Sequence, residues 1–359
     1  MSSACIRQSR HSLFLICPAR GFVFLNPSKG NNMATVAYGD ISPRTAAYAE
    51  KELLKRGIPY LVLEKFGQAK SLPSNSTKVE KFRRYNALSN TPVTITEGIT
   101  PASQALTVTD VTATLQQYGG LVQVSDIILD THEDATLNEA INLLGEQAAQ
   151  MIEKMRFGIV KAGTNVLYAN GAARNAVNTV ISTANQRKAV RALKRQNARP
   201  ITSIVRSTAA YGTDNVAPGF VGLCHPDMEG DIRLMTGFTP AEDYGSISPW
   251  ENELGKVDDV RYVTSTIFEP WTDAGGAKGA MLSTSGVNAD VYPVIYLGRD
   301  AYGIIALKGQ YAVTPMVSNA KPSDSDPLAQ RASVAWKALQ TCVILNDAWM
   351  ARMECAATA

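Results

Sequence analysis

The sequence predicts an α+β fold carrying an extended, projecting segment, and three observations lead there. The stretch from Thr77 to Asp130 is rich in Thr and Val and punctuated by Pro92, Gly98 and Pro101, a composition that favours strands and breaks helices. A long amphipathic repeat follows, from Thr136 to Gly163. Beyond it, short helical and strand signals alternate to about Thr314, the pattern of a mixed domain.

Residues 1–32 precede a second methionine, Met33, whose context MATVAYGD reads as an ordinary protein start. They are expected to be a poorly ordered upstream extension. Their apolar stretch, Leu13–Leu25, is interrupted by Pro18, Arg20 and Gly21. It falls short of the roughly 18 to 20 apolar residues that a membrane-spanning helix needs. PRTAAYAEKELLK (Pro43–Lys55) predicts a short helix, with Pro43 in the permitted first turn and Gly57 as its stop. IPYLVLEKF (Ile58–Phe66) is compact and apolar, which predicts burial. Together they read as an N-terminal arm leading into the extended segment.

That segment runs through TKVEKFRRYNALS, NTPVTITEGITPAS and QALTVTDVTATLQQYGGLVQVSD. Its composition predicts strands with no compact core of their own. A chain piece of this kind is built to find its apolar partner on another chain.

The long helix opens with Thr136-Leu137-Asn138-Glu139, a capping-box pattern in which the Thr hydroxyl and Glu carboxylate each satisfy a free backbone donor. Leu137, Ile141, Leu144, Ala148, Met151, Met155 and Ile159 recur at spacings of three and four, predicting one apolar face. Glu139 and Glu146 lie early and Arg156 and Lys161 late, as the helix dipole favours. Asn185–Arg199 predicts a further helix, and GFVGLCH (Gly219–His225) a buried strand, after which Asp227 can cap a short helix through Met235. Val257–Trp271 and Val291–Gly309 predict more strands joined by turns, and Lys321–Leu328 a polar loop. In the last segment Ala332, Val334, Trp336 and Ala338 alternate as in a strand, although a helix fits part of it. We read it as long strands that return to pack on the helix.

The 359-residue chain is 45% apolar, as expected of a globular protein, and its formal charge of +3 gives no bulk signature of a nucleic-acid binder. Cys5, Cys17, Cys224, Cys342 and Cys355 form no CxxC pair and fit reduced thiols. Only three histidines occur: His11, His132 and His225. Cys224 and His225 have the residue types of a nucleophile and base, but neighbours in a strand face opposite ways. No His or Cys spacing suits a metal, and Gly275–Gly276 with Lys278–Gly279 lacks the order of a phosphate-binding loop. The sequence therefore predicts no catalytic residue, cofactor or metal.

Two basic clusters remain. Arg187, Lys188, Arg191, Lys194, Arg195 and Arg199 share much of one helix face. Such a face suits sequence-independent contact with DNA, or a solvated surface with ion pairs, and the second is the commoner outcome. Lys78, Lys81, Arg83 and Arg84 lie in the extended segment, and we read them as contacts to acidic groups on a neighbour.

KFRRYNAL, PVTITEGITP and ATLQQYGGLVQVSD, followed by the long helix, resemble one group of tailed-bacteriophage major capsid proteins, the N-four type. CHPDM (Cys224–Met228), ELGKVDDVRYV (Glu253–Val263) and SVAWKALQTCVILNDAWMARME agree in order, so the resemblance covers roughly Ala34 to Glu354. Residues 1–32 have no counterpart in it. The resemblance implies the Hong Kong 97 phage capsid fold. In that scheme residues 33–65 are the N-terminal arm, 66–130 an extended β-hairpin loop, and 131–170 the spine helix of a peripheral domain. Residues 171–315 form the axial domain, and 316–359 complete the peripheral sheet.

It also implies a structural subunit that assembles with itself into hexamers and pentamers of an icosahedral head around double-stranded DNA. Portal and scaffold or decoration proteins are then expected partners, the virion the location, and the host cytoplasm the place of assembly. The expected inter-subunit residues are Phe82, Arg83, Arg84, Tyr85, Glu97, Gln116, Gln117 and Tyr118. A nanocompartment shell of the same fold enclosing cargo enzymes is the alternative, and a cytosolic cysteine hydrolase a more remote one.

Overall fold

The computed structural model describes residues 61–73, 75, 77–131, 136–205, 213–244, 249–307, 313–320, 322 and 326–359. The expected extension 1–32, the helix at Pro43–Lys55, His132, the side chain of the predicted cap Thr136 and much of the loop Lys321–Leu328 lie outside them. After a 3-10 turn (Leu63–Lys65) comes β1 (Gln68–Leu72), then β2 (Val79–Tyr85), β3 (Val108–Thr114) and β4 (Gln116–Ser125). A short helix α1 (Asp126–Thr131) precedes the long α2 (Thr136–Lys161). β5 (Val166–Tyr168), α3 (Thr183–Arg195), β6 (Ile201–Val205), β7 (Thr213–Cys224), α4 (Glu229–Arg233) and β8 (Phe238–Pro240) follow. The chain continues through β9 (Glu253–Val257), β10 (Val260–Thr264), β11 (Tyr292–Leu297), β12 (Tyr302–Leu307) and β13 (Thr314–Ser318). It ends with β14 (Arg331–Ile344) and β15 (Met350–Cys355).

The first sheet is built on β14, a strand of 14 residues whose alternate positions are buried, as its sequence pattern predicts. Its strand order is β1-β12-β14-β13, with β4 also paired to β14. The buried members Val334, Trp336 and Ala338 pack on Ala140, Leu144, Ala148 and Ile152 of α2. Trp336 is 2% exposed, and its indole N–H donates to Gln147 Oε1 at 3.3 Å. Gly120 of β4 lies opposite Trp336 in the ladder. A Cβ there would sit 2.7 Å from the Trp336 Nε1, so the glycine admits the ring.

The 26 residues of α2 make a rod about 39 Å long at 1.5 Å per residue. Its buried face is rotated from the expected one. Ile152, Glu153, Arg156, Phe157 and Val160 are buried, whereas Ile141, Met151, Met155 and Ile159 lie at its margins. Apolar periodicity misplaced the face because two charged residues occupy its centre. Glu153 Oε1 accepts the backbone N–H groups of Val62 and Leu63 at 3.1 and 2.7 Å, capping the first 3-10 turn. Burial pushes the Glu153 carboxyl up to about 7, against the opposing pull of Arg156 and these two donors. Arg156 donates to Gln340 Oε1 at 2.8 Å. Val62, Leu63 and Phe66 are buried as expected of the apolar run.

The second sheet has eight strands in the order β5-β15-β11-β7-β10-β9-β8, with β6 on β7. β11 lies between β15 and β7, and every one of its residues is buried. Within Val257–Trp271, expected to be strand, only Val260–Thr264 forms β10, which turns back through Asp258 and Asp259 to pair with β9, the strand that ends at Val257. Helix α3 covers this sheet. It begins two residues before the expected Asn185, where Ser182 Oγ accepts the Asn185 N–H at 3.3 Å. The cap after β7 is His225, not Asp227: its ring accepts the Asp227 N–H at 3.3 Å ahead of a 3-10 turn and α4. Arg352 donates to the carbonyls of Lys161 and Gly163 at the end of α2, and so ties the rod to β15.

Candidate assembly interface

The projecting element is narrower than the sequence suggests. β4 is hydrogen-bonded along β14 from Gln116–Gln340 to Ser125–Arg331, so it belongs to the body. What projects is the antiparallel ribbon β2–β3, in register from Val79–Thr114 to Tyr85–Val108, and the loop beyond it. The ribbon has a core at its base. Phe82, Ala113 and Leu115 are buried with Leu72 and Ile305. Gly303 of β12 admits the Phe82 ring, since a Cβ there would approach Phe82 Cζ to 2.7 Å.

Phe82, expected at an inter-subunit contact, is thus 8% exposed within its own chain, which leaves little of the ring for a neighbour. Arg83 stands opposite Asp110 in the ladder and donates to both its oxygens at 2.8 and 2.9 Å. This hydrogen-bonded pairing holds the Asp110 carboxyl below its usual range. Arg84 and Tyr85 are exposed on the ribbon. Gln116 and Gln117 are exposed along β4, and Tyr118 is half-buried, donating to Gln116 Oε1 at 3.2 Å. The structure therefore separates the expected residues into three on β4, four on the ribbon and Glu97 alone at the tip.

The loop is exposed throughout from Ala87 to Thr107, with Asn86 half-buried at its base. Asn86 closes its base: its N–H donates to Thr107 O at 2.9 Å, and its side chain bonds Thr107 and Thr109. At the far end the Ile99 N–H donates to Thr96 O at 3.1 Å, with Gly98 at φ +80°. That is a turn needing a positive φ at its third residue, which glycine supplies. Glu97 sits at its crest, flanked by Ile95 at 73% and Ile99 at 65% exposure. Val93, Leu88 and Leu106 are exposed as well. A run of this kind on one chain is an uncovered apolar surface.

Helix α3 presents Arg187, Lys188, Arg191, Lys194 and Arg195, all exposed, and all of them but Lys188 line an open groove of about 740 Å³. Arg187 pairs with Asp258 at 2.8 Å, and Lys194 pairs with Asp259. Lys188 donates to Asn185 Oδ1 at 3.3 Å, so part of this face is tied within the chain. The opposite face is fixed by Gln186, which donates to Val257 O at 2.7 Å and accepts from the buried Tyr262 hydroxyl at 2.9 Å.

Cys224 is fully buried, its thiol directed at Val263 O at 3.7 Å, and burial pushes that thiol up, away from the thiolate a nucleophile needs. His225 is held by Asp227 at 3.1 Å. The two do not form a nucleophile and base. No helix among the described residues is long and apolar enough to cross a membrane.

The family model described as phage capsid protein matches residues 108–352. No curated protein matches the chain. Among solved structures, the capsid of Ralstonia phage GP4 superposes with a TM-score of 0.62 at 13% identity, over 82% of this chain and 87% of that one. The capsid subunit of cyanophage Pam1 gives 0.60 at 13% identity, over 85% and 92%. The head of Helicobacter pylori bacteriophage KHP40 gives 0.56 at 12%, over 80% and 87%. At these identities the structures share the fold. The family match spans most of the chain, from β3 into β15. The chain belongs to the phage capsid protein family and is a major capsid subunit of the Hong Kong 97-type fold.

Proposed function

We propose that this subunit builds hexamers and pentamers of an icosahedral head by lending the loop Asn86–Thr107 to a neighbouring copy. The observation that carries this is the tip: Val93, Ile95 and Ile99 are 67%, 73% and 65% exposed, whereas the Val and Ile side chains of β10, β11 and β12 are buried. Each copy both lends a loop and receives one, so contacts that are individually modest act together in the shell. Arg84, Tyr85, Glu97, Gln116, Gln117 and Tyr118 lie on surfaces open to such a neighbour. Portal and scaffold or decoration proteins complete the head in this reading. Double-stranded DNA fills it, meeting the protein through non-specific contacts. The in-chain ion pairs of Arg187 and Lys194 favour a surface role for the α3 face, with Arg191 and Arg195 available to phosphates.

The test replaces residues 87–106 by an Asn-Gly turn, which joins Asn86 to Thr107 without disturbing the ribbon. The variant is expected to melt like the parent and to form no shells in negative-stain micrographs. Normal shells from it would remove the loop from the mechanism.

A further inference from the structure

A groove of about 440 Å³ lies at the root of the ribbon. Lys70, Lys81, Arg83 and Arg84 line it, facing Asp300. Val111, Leu345 and Trp349 add apolar surface. Lys70 is paired with Glu80, and Arg83 with Asp110. Lys81 and Arg84 have no ion-pair partner among the described residues. The groove takes residues from both faces of β2, whose second edge pairs with no other strand. It therefore combines surplus positive charge, an apolar lining and a strand edge that no strand pairs, although Lys81 O on that edge accepts Lys70 Nζ at 3.2 Å.

One segment of this chain has the matching character. Between Asn86 and Thr107 the only charged residue is Glu97. Ile95 and Ile99 flank it, both exposed, and the chain on either side of the turn is in no helix or strand. Among the described residues, the backbone hydrogen bonds of this loop stay inside the hairpin.

We propose that the loop tip of one copy seats in the root groove of the next copy, with the Glu97 carboxylate against Arg84 and Lys81 and the flanking isoleucines against the apolar lining. The proposal rests on the loop-lending reading above and names the surface that receives the loop. The contact is head-to-tail: each copy uses its tip once and its root once, so repetition by rotation closes a ring. Opposite charge fixes the register, and the free edge of β2 supplies backbone donors and acceptors to an extended partner.

The test is assembly of the full chain, read as the protein concentration at which particles appear in light scattering and negative-stain micrographs. Circular dichroism melts would show that each variant folds. Glu97→Lys is expected to raise that concentration about tenfold or more, because it sets like charges together. Arg84→Glu alone should do the same, and Glu97→Lys combined with Arg84→Glu should return it to within about threefold of the parent. Glu97→Gln, which removes the charge without reversing it, should fall between.

If Glu97→Lys assembles like the parent, the tip does not meet a basic surface and the inference fails, while the shell role stands. The inference also fails if both single variants weaken assembly and the exchange restores nothing. A parent chain that forms no shells under any condition would remove the function proposed above, and this contact with it.

Discussion

β11 and the loop tip are made of similar material and meet opposite fates. Tyr292–Leu297 reads YPVIYL, and every residue of it is buried between β15 and β7. Pro92–Ile99 reads PVTITEGI, and every residue of it is exposed. Both are rich in β-branched residues, yet β11 is a strand paired on both sides and the tip pairs with no strand. Propensity is shared, and the availability of a partner decides both the pairing and the burial. β11 finds its partners within the chain, and the tip presents the same chemistry outward.

The largest expected effect breaks the buried side of this contrast. Trp336→Ala empties a packed site between β14 and α2, so unfolding should become easier by about 3–5 kcal/mol. Chemical denaturation reads this directly. A loss below about 1 kcal/mol would mean that the helix–sheet seam is not part of the stable core.

The next effect concerns charge inside that seam. Because the folded-state carboxyl of Glu153 lies at about 7, above its unfolded range, the native state holds the proton more tightly than the unfolded chain does. Stability from this group is therefore present below about pH 4.5 and is lost as pH rises through about 7. Glu153→Gln removes the titration. Between pH 5 and 8 the parent should lose stability relative to this variant, by a difference on the order of 3 kcal/mol. Parallel pH dependences for the two proteins would contradict it.

The smallest effect on stability falls on the exposed side. Ile95→Asn with Ile99→Asn should shift unfolding by no more than about 0.5 kcal/mol, as exposed substitutions do. The same pair should abolish particles. Equal melting with lost assembly would sharpen the contrast between the two regions, whereas a lower melting temperature would show that the tip is packed in its own subunit.

How much of this was legible in the sequence follows from the same contrast. The alternation in β14 and the exposed composition of the tip were both readable, because each depends on residues adjacent in the chain. The helix α2 was readable too, but its face was not, since Glu153 and Arg156 become acceptable inside only through backbone N–H groups and Gln340. β4 was mistaken for part of the projection because Gly119 and Gly120 interrupt its pattern. Those glycines are needed for the close passage of Trp336, which lies on a strand more than two hundred residues away. Of the root groove, Lys81, Arg83 and Arg84 were readable as a basic cluster, but the groove was not, since its lining comes from β1, β2, β3 and the turns flanking β12 and β15.

Phe82 is a mechanical anchor as well as a core residue. Its ring rests on Gly303, in the middle of the sheet formed by β1, β12 and β14. In the assembly proposed above, tension applied at the loop tip by a neighbour would pass down the ribbon into β12. There it would be resisted in shear by the ladders on either side, five residue pairs to β1 and five to β14. A hairpin loaded alone unzips one rung at a time, whereas strands loaded along their length must give way together. On that proposal each loop of the shell would be held by a whole sheet.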